Sequence, residues 1–254
     1  MNFVFDLDGT ICFKGRPVSE KLLKPLEQLA SQGHKVIFAS ARPIRDLLPV
    51  LHERFHHYSM IGGNGSMVAA DGKIISTASF DEQTFSDIVR LLEDYRMTYL
   101  IDSDWDYAYT GPATHPILNN LDPHKLAKNI EIAELRNIVK ILLLTSTNMK
   151  EAEERLAKMD VVVHVHGNEE ILDISPKGVD KWHGLQKLGI KKDEFIAFGN
   201  DANDIPMFKH ALYSIMVGQH SRLGTYASES LPLDDNIEYA LIQKFEELEH
   251  LYTR

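Results

Sequence analysis

Short apolar runs and longer amphipathic ones alternate through the first third of the chain. The run NFVFDL (2–7) is rich in Phe and Val and too short for a helix, which predicts a buried strand. Ser19 to Gln32 carries Leu22, Leu23, Leu26 and Leu29 at helical spacing, opened by Ser19 and closed by Gly33. Pro25 lies inside that pattern and predicts a kink or a late start. KVIFAS (35–40) reads as a second buried strand, and Pro43 to Phe55 as a second helix with Pro43 near its first turn. YSMIGGNG (58–65) is a third strand running into a glycine-rich turn. SMVAADGKIIST (66–77) is a hairpin about Asp71-Gly72.

Strand and helix in alternation predict a parallel sheet with helices on both faces. The last third repeats the pattern: helix VDKWHGLQKLG (179–189), strand EFIAFG (194–199), helix DANDIPMFKH (201–210), strand ALYSIMVG (211–218). The middle differs. It reads as a helix over 81–95, strands MTYLID (97–102) and DYAYTG (106–111), a short helix over 123–128 and a strand IVKILLLT (138–145). A helix over 149–159 and two further strands, VVVHVHG and EEILDIS, follow. Antiparallel pairs mixed with helices suggest an insertion. The expected architecture is α/β: a Rossmann-like parallel sheet core formed by 1–79 and 175–254, carrying an α+β domain at 80–174.

The 254 residues are 44% hydrophobic and 25% charged, ordinary values for a soluble globular protein. The net charge of −10 argues against broad attraction to nucleic acid or to an anionic membrane. No apolar run approaches the ~18 residues of a membrane span. The single cysteine, Cys12, excludes an intrachain disulfide and reads as a packing residue. The N-terminus MNFVFDLDG has no secretory pattern, so the expected location is the cytoplasm.

In an open parallel sheet, ligands bind beyond the carboxyl ends of the strands. The chemically informative residues stand there. Asp6 and Asp8 close the first strand, Ser40 and Arg42 the second, Gly62 to Gly65 the third, and GNDAND (199–204) the strand EFIAF. An apolar run ending in two acids is costly unless something compensates them. Residues i and i+2 at a strand end share a side, so Asp6 and Asp8 are expected to face one ligand together.

These motifs resemble those of the haloacid-dehalogenase-like phosphatases. DLDGT (6–10) is similar to their first motif, and FASAR (38–42) to their second. ISPKGVDKW (174–182) resembles the stretch with their phosphate-binding lysine, and FGNDANDIPMF (198–208) their acidic fourth motif. GGNGSMV (62–68) resembles the Asn-Gly turn of the Cof-type branch, whose members carry an α/β cap between the second and third motifs. The resemblance implies a Mg2+-dependent phosphatase for small phosphorylated metabolites, sugar phosphates above all, acting through an aspartyl-phosphate.

By that resemblance Asp6 is the nucleophile. Asp8 protonates the leaving oxygen and then activates water, while its backbone carbonyl faces the metal. Donors must surround a phosphoryl group in transfer: Ser40 with the neighbouring Ala41, Asn203, and a lysine. Lys177 and Lys181 are both candidates, and the family pattern favours Lys181. The metal is assigned to Asp6, Asp8, Asp204 and either Asn200 or Asp201, with the choice open because Asn200 stands where an acid is commoner. Mg2+ suits such hard oxygen donors. Arg42, Asn64 and the aromatic positions Trp105 and Tyr107, in period two with Tyr109, are candidate substrate contacts. A phosphoryl mutase, a signalling receiver and a non-catalytic phosphometabolite binder are the rival readings.

Overall fold

The computed structural model describes residues 1–166 and 171–252. Among them the strands are β1 (Asn2–Asp6), β2 (Lys35–Ala39), β3 (Ser59–Gly62), β4 (Met67–Ala70), β5 (Lys73–Thr77), β6 (Thr98–Asp102), β7 (Tyr107–Tyr109), β8 (Lys140–Thr145), β9 (Val161–His166), β10 (Ile171–Pro176), β11 (Phe195–Gly199), β12 (Tyr213–Val217) and β13 (Glu229–Leu231). They form two sheets. The first has the order β13-β12-β11-β1-β2-β3-β4-β5. Its pairs are parallel from β13 through β3, and the hairpin β4–β5 adds an antiparallel edge. The second sheet, β7-β6-β8-β10-β9, is antiparallel throughout. An α/β core with an inserted α+β cap is therefore the fold of the chain.

β1 sits in the middle of the first sheet. Phe3, Val4 and Phe5 are fully buried, because helices cover both faces and a central parallel strand has no wet side. Phe5 stacks on Phe198 of β11 and meets Phe245 of the helix Ile237–Tyr252 edge-on. The hairpin turn at Asp71 and Gly72 has φ of 51° and 71°, the two positive values that a tight two-residue turn needs.

The second sheet alternates. Ile101, Ile141, Leu143, Leu172 and Ile174 pack on the helix Glu82–Asp94 side, in one apolar cluster with Ile88 and Leu91. The opposite face carries Leu100, Leu142 and Leu144, and with them Asp102, Lys140 and Asp173. That face meets the first sheet's loops. Three buried charges lie on it, at its junction with those loops.

Several elements differ from expectation. The segment 43–55 is not one helix: Ile44–Leu47 gives way to short 3-10 turns at Leu48–Val50 and Glu53–Phe55. Pro49 has no N–H to continue the α-helical hydrogen bonding, although Leu48 before it keeps helical angles (φ −54°, ψ −44°). The helix Glu20–Ser31 starts at Glu20, not late, and continues through Pro25, with Leu22, Leu23, Leu26 and Leu29 buried. The expected helix at 123–128 is absent. Asp122, at φ 43°, takes the backbone N–H groups of Leu126 and Ala127 on its own carboxylate, which competes with a helical turn. The segment 201–210 shrinks to a 3-10 turn, Ala202–Asp204, and the short helix Ile205–Phe208. Among the described residues no helix is long and apolar enough to cross a membrane.

Candidate active site

β1, β2, β3 and β11 end on one rim of the first sheet, and their ends gather the candidate residues. Asp6 is the last residue of β1 and is 4% exposed. Its Oδ1 accepts a 2.6 Å hydrogen bond from Lys181 Nζ, and its Oδ2 one of 2.7 Å from Thr10 Oγ1. Lys181 is the first residue of the helix Lys181–Lys187, capped by Asp180, and is fully buried. Its ammonium also donates to Asp204 Oδ1 at 2.6 Å. Asp204 is held from its other oxygen by the backbone N–H groups of Asn200 and Asp201, at 2.8 and 3.1 Å. One buried ammonium thus joins the ends of β1 and β11. Lys177, the alternative lysine, lies exposed and pairs with Asp160 instead.

Asp8 stands beyond the strand end and lines the cavity at this rim. β1 stops at Asp6, so the same-side rule for i and i+2 does not reach Asp8. The side chain leaves the strand line and is half-exposed, held by Arg42 through two 2.7 Å bonds from Nε and Nη2. Gly9 follows with φ +83°, and a Cβ there would fall 2.0 Å from the Asn200 side-chain nitrogen. Only glycine permits both the angle and the approach. Asn200 therefore lies directly against the Asp8–Gly9 loop. The Asp201 carboxylate faces elsewhere: it accepts from Ala202 N and pairs with His220 at 3.3 Å.

The second motif forms a braced loop. Ser40 is buried, and its Oγ accepts the Arg42 N–H at 3.1 Å. Asn64, in the left-handed region at φ 57°, donates its backbone N–H to Ser40 O. Its side chain accepts from Asn203 Nδ2 at 3.1 Å and donates to Asp173 Oδ2 at 3.2 Å. Gly65 completes the turn at φ +109°, where a Cβ would strike the Asp180 carbonyl at 1.9 Å. Asn64 thus stands between the second motif, the fourth and the cap. A cavity of about 220 Å³ opens between this rim and the cap sheet, lined among others by Asp8, Ala41, Arg42, Asp102 and Lys140. Trp105 and Tyr107 do not line it. Trp105 precedes β7 and gives its indole N–H to Leu126 O, and Tyr107 lies under the Arg45 guanidinium at 4.8 Å.

Electrostatics sharpen the picture. Burial raises the Asp6 carboxyl above its usual range, Lys181 opposes that shift, and Asp204 adds to it. Burial disfavours the Lys181 ammonium, but Asp204 and Asp6 outweigh it, so its pKa is raised. Two buried carboxylates share one ammonium, so one negative charge is left over when both are ionised. Among the described residues no three His, Cys, Asp or Glu side chains stand together as a ready metal cage. The oxygen groups at this rim are the carboxylates of Asp6 and Asp204, both on Lys181, and the amide of Asn200 beside the Asp8–Gly9 loop. That deficit and that oxygen chemistry fit a hard divalent cation that keeps several of its waters.

A family model for haloacid dehalogenase-like hydrolases matches residues 3–228. The chain belongs to that family. A Mycoplasma pneumoniae protein named as a phosphatase is 26% identical over 281 aligned residues, covering 98% of both chains. An Escherichia coli 5-amino-6-(5-phospho-D-ribitylamino)uracil phosphatase is 23% identical over 82% of each chain. Among solved structures, a sugar phosphatase of subclass IIB of the superfamily matches with a TM-score of 0.77 at 17% identity, covering 97% of this chain and 98% of its own. At that identity the likeness is one of fold.

The hydrolase has polar residues at the site that sequence reasoning missed. Arg45, 1% exposed, donates to both oxygens of Asp46, to Asp102 at 2.8 Å and to Trp105 O at 2.7 Å. Asp46 also accepts the Asp122 N–H at 2.8 Å. Lys140 bonds Ala41 O and Asp173. Lys140 and Asp173 have a sequence signal, a charge inside a buried apolar run, as in IVKILLLT and EEILDIS.

Proposed function

We propose that this phosphatase hydrolyses small phosphorylated metabolites, sugar phosphates among them, in two steps through Asp6. The observation that carries the reading is the buried Asp6–Lys181–Asp204 triad at the ends of β1 and β11. In the first step an Asp6 carboxylate oxygen bonds to phosphorus as the bond to the leaving oxygen breaks. Asp8 delivers a proton to that oxygen. In the second, water attacks phosphorus, Asp8 takes its proton, and inorganic phosphate leaves with Asp6 restored.

Lys181, the Ser40 hydroxyl, the Ala41 N–H and Asn203 supply positive charge and donors to the phosphoryl oxygens. Asp6, the Asp8 carbonyl and the Asn200 amide oxygen would hold Mg2+, which would supply positive charge opposite the phosphoryl group. Asn200 lies beside the Asp8–Gly9 loop while the Asp201 carboxylate is engaged by Ala202 N–H and His220, which supports Asn200 over Asp201 as that ligand. Asp204 serves by holding Lys181 and the Asn200 N–H rather than through the metal. Arg42 ties Asp8 down in the free enzyme. A leaving group that fills the cavity competes for the guanidinium and frees Asp8 to carry its proton.

We assign 1–79 and 175–254 to the catalytic core, and 80–174 to the cap that selects the leaving group and keeps out bulk water. Asn64 anchors the turn that meets the cap. Trp105 and Tyr107 act through the Arg45 cluster rather than by touching substrate.

The test is phosphate release from a panel of phosphorylated metabolites. Wild type is expected to release phosphate with Mg2+ and to stop on chelation. Asp6→Asn is expected to lose activity by at least ~10³-fold. Release that continues in Asp6→Asn contradicts the reading, and isomerised product without free phosphate identifies a mutase.

A further inference from the structure

We propose that Lys140, a cap residue, is a positioning residue for the phosphate-binding loop, acting through the Ala41 carbonyl. The inference rests on the phosphatase reading above. Lys140 opens β8 and is 5% exposed. Its Nζ lies 2.6 Å from Ala41 O, across the junction of the two sheets, and 3.0 Å from Asp173 Oδ2 on the neighbouring strand β10.

The peptide joining Ala41 to Arg42 is planar and rigid. Its carbonyl end is held by Lys140. Its N–H end, on Arg42, donates to Ser40 Oγ at 3.1 Å. The Ala41 N–H lies in the preceding peptide plane, whose Ser40 carbonyl accepts the Asn64 N–H. Fixing the Ala41–Arg42 plane therefore fixes two things at once. The Ser40 oxygen has one lone pair engaged, so its hydrogen turns away from Arg42. Arg42 is launched towards Asp8, which it grips in two bonds.

Asp173 braces the same loop from the side. It is fully buried and accepts from Asn64 Nδ2, while Asn64 N–H holds Ser40 O and its side-chain oxygen accepts from Asn203. Lys140 and Asp173 together clasp the second motif, the Asn64 turn and, through it, the fourth motif. A charge-assisted bond from an ammonium to a carbonyl is stronger than a neutral one. Loop geometry thus depends on the cap being seated.

The competing explanation is that Lys140 only balances the buried charge of Asp173. Lys140→Met and the double variant Lys140→Met/Asp173→Asn separate the two. The probe is inorganic phosphate, titrated with Mg2+ and as an inhibitor of hydrolysis, with thermal unfolding in parallel. Both variants are expected to bind phosphate at least about tenfold more weakly, the loss of one charge-assisted hydrogen bond. The double variant is expected to regain thermal stability without regaining phosphate affinity. It leaves no unpaired buried charge, so it carries the test if the single variant does not fold. Phosphate binding within about twofold of wild type in either variant overturns the positioning role. If wild type itself neither releases nor binds phosphate, the phosphatase reading falls and this inference with it.

Discussion

Two fully buried cations in this hydrolase each sit between two carboxylates, and they do different work. Lys181 joins Asp6 and Asp204 at the ends of two parallel strands. Arg45 joins Asp46 and Asp102 across the junction of core and cap. The charge count is the same in both. Arg45, however, spreads its donors over the two carboxylates and the Trp105 carbonyl, in the fixed fork that suits a permanent joint. Lys181 offers a compact ammonium that can also meet a phosphoryl oxygen. Charge composition alone does not distinguish a site from a clasp. Position at the carboxyl rim of the sheet, and the kind of cation placed there, do.

The comparison breaks most visibly at Lys181. Lys181→Met is expected to lower kcat/KM at least ~10³-fold, because it removes the cation that would stabilise the charge developing on the phosphoryl group. Lys177→Met, which breaks only an exposed pair, serves as the control and is expected to change kcat/KM by no more than about twofold. Steady-state kinetics on one substrate check both. Arg45→Met is expected to act on stability instead. It strands Asp46 and Asp102 in the interior, and such losses cost about 3–5 kcal/mol. Urea denaturation measures that cost; an unchanged midpoint would show that the joint is not what holds the cap. Asn200→Asp is the smallest change, and it sharpens the site side of the comparison. A carboxylate binds Mg2+ more firmly than an amide oxygen, so the Mg2+ concentration for half-maximal activity is expected to fall. Asp201→Asn, whose carboxylate faces His220, is expected to leave it unmoved.

Much of the core was legible because its chemistry is local in sequence. DLDGT, FASAR and GNDAND fix residue type and spacing together at strand ends, so Asp6, the neighbourhood of Ser40 and Asp204 could be placed without knowing how the chain folds back. What lay beyond reach was pairing at long range. Arg45 and Asp102, or Lys140 and Ala41, meet only through the docking of the cap on the core, which no local pattern encodes. A signal was nevertheless there. Lys140 in IVKILLLT and Asp173 in EEILDIS interrupt buried strands as Asp6 does in NFVFDL, and a charge in such a run demands a partner. Local backbone chemistry explains the remaining misses. Pro49 cut the second helix, and the Asp122 carboxylate captured the N–H groups that a helix at 123–128 would have used.

The most direct test of the central claim is to catch the phosphoryl group on Asp6. Asp8→Asn removes the proton shuttle, so the second step should slow more than the first when the leaving group is good. The variant would be mixed with Mg2+ and an activated phosphomonoester, quenched in acid, digested and analysed by mass spectrometry. The account predicts that the peptide bearing Asp6 gains the mass of one phosphoryl group, and that the gain is absent in Asp6→Asn/Asp8→Asn. Turnover with no phosphorylated Asp6 peptide at any quench time, or a phosphoryl group carried on another residue, would contradict it.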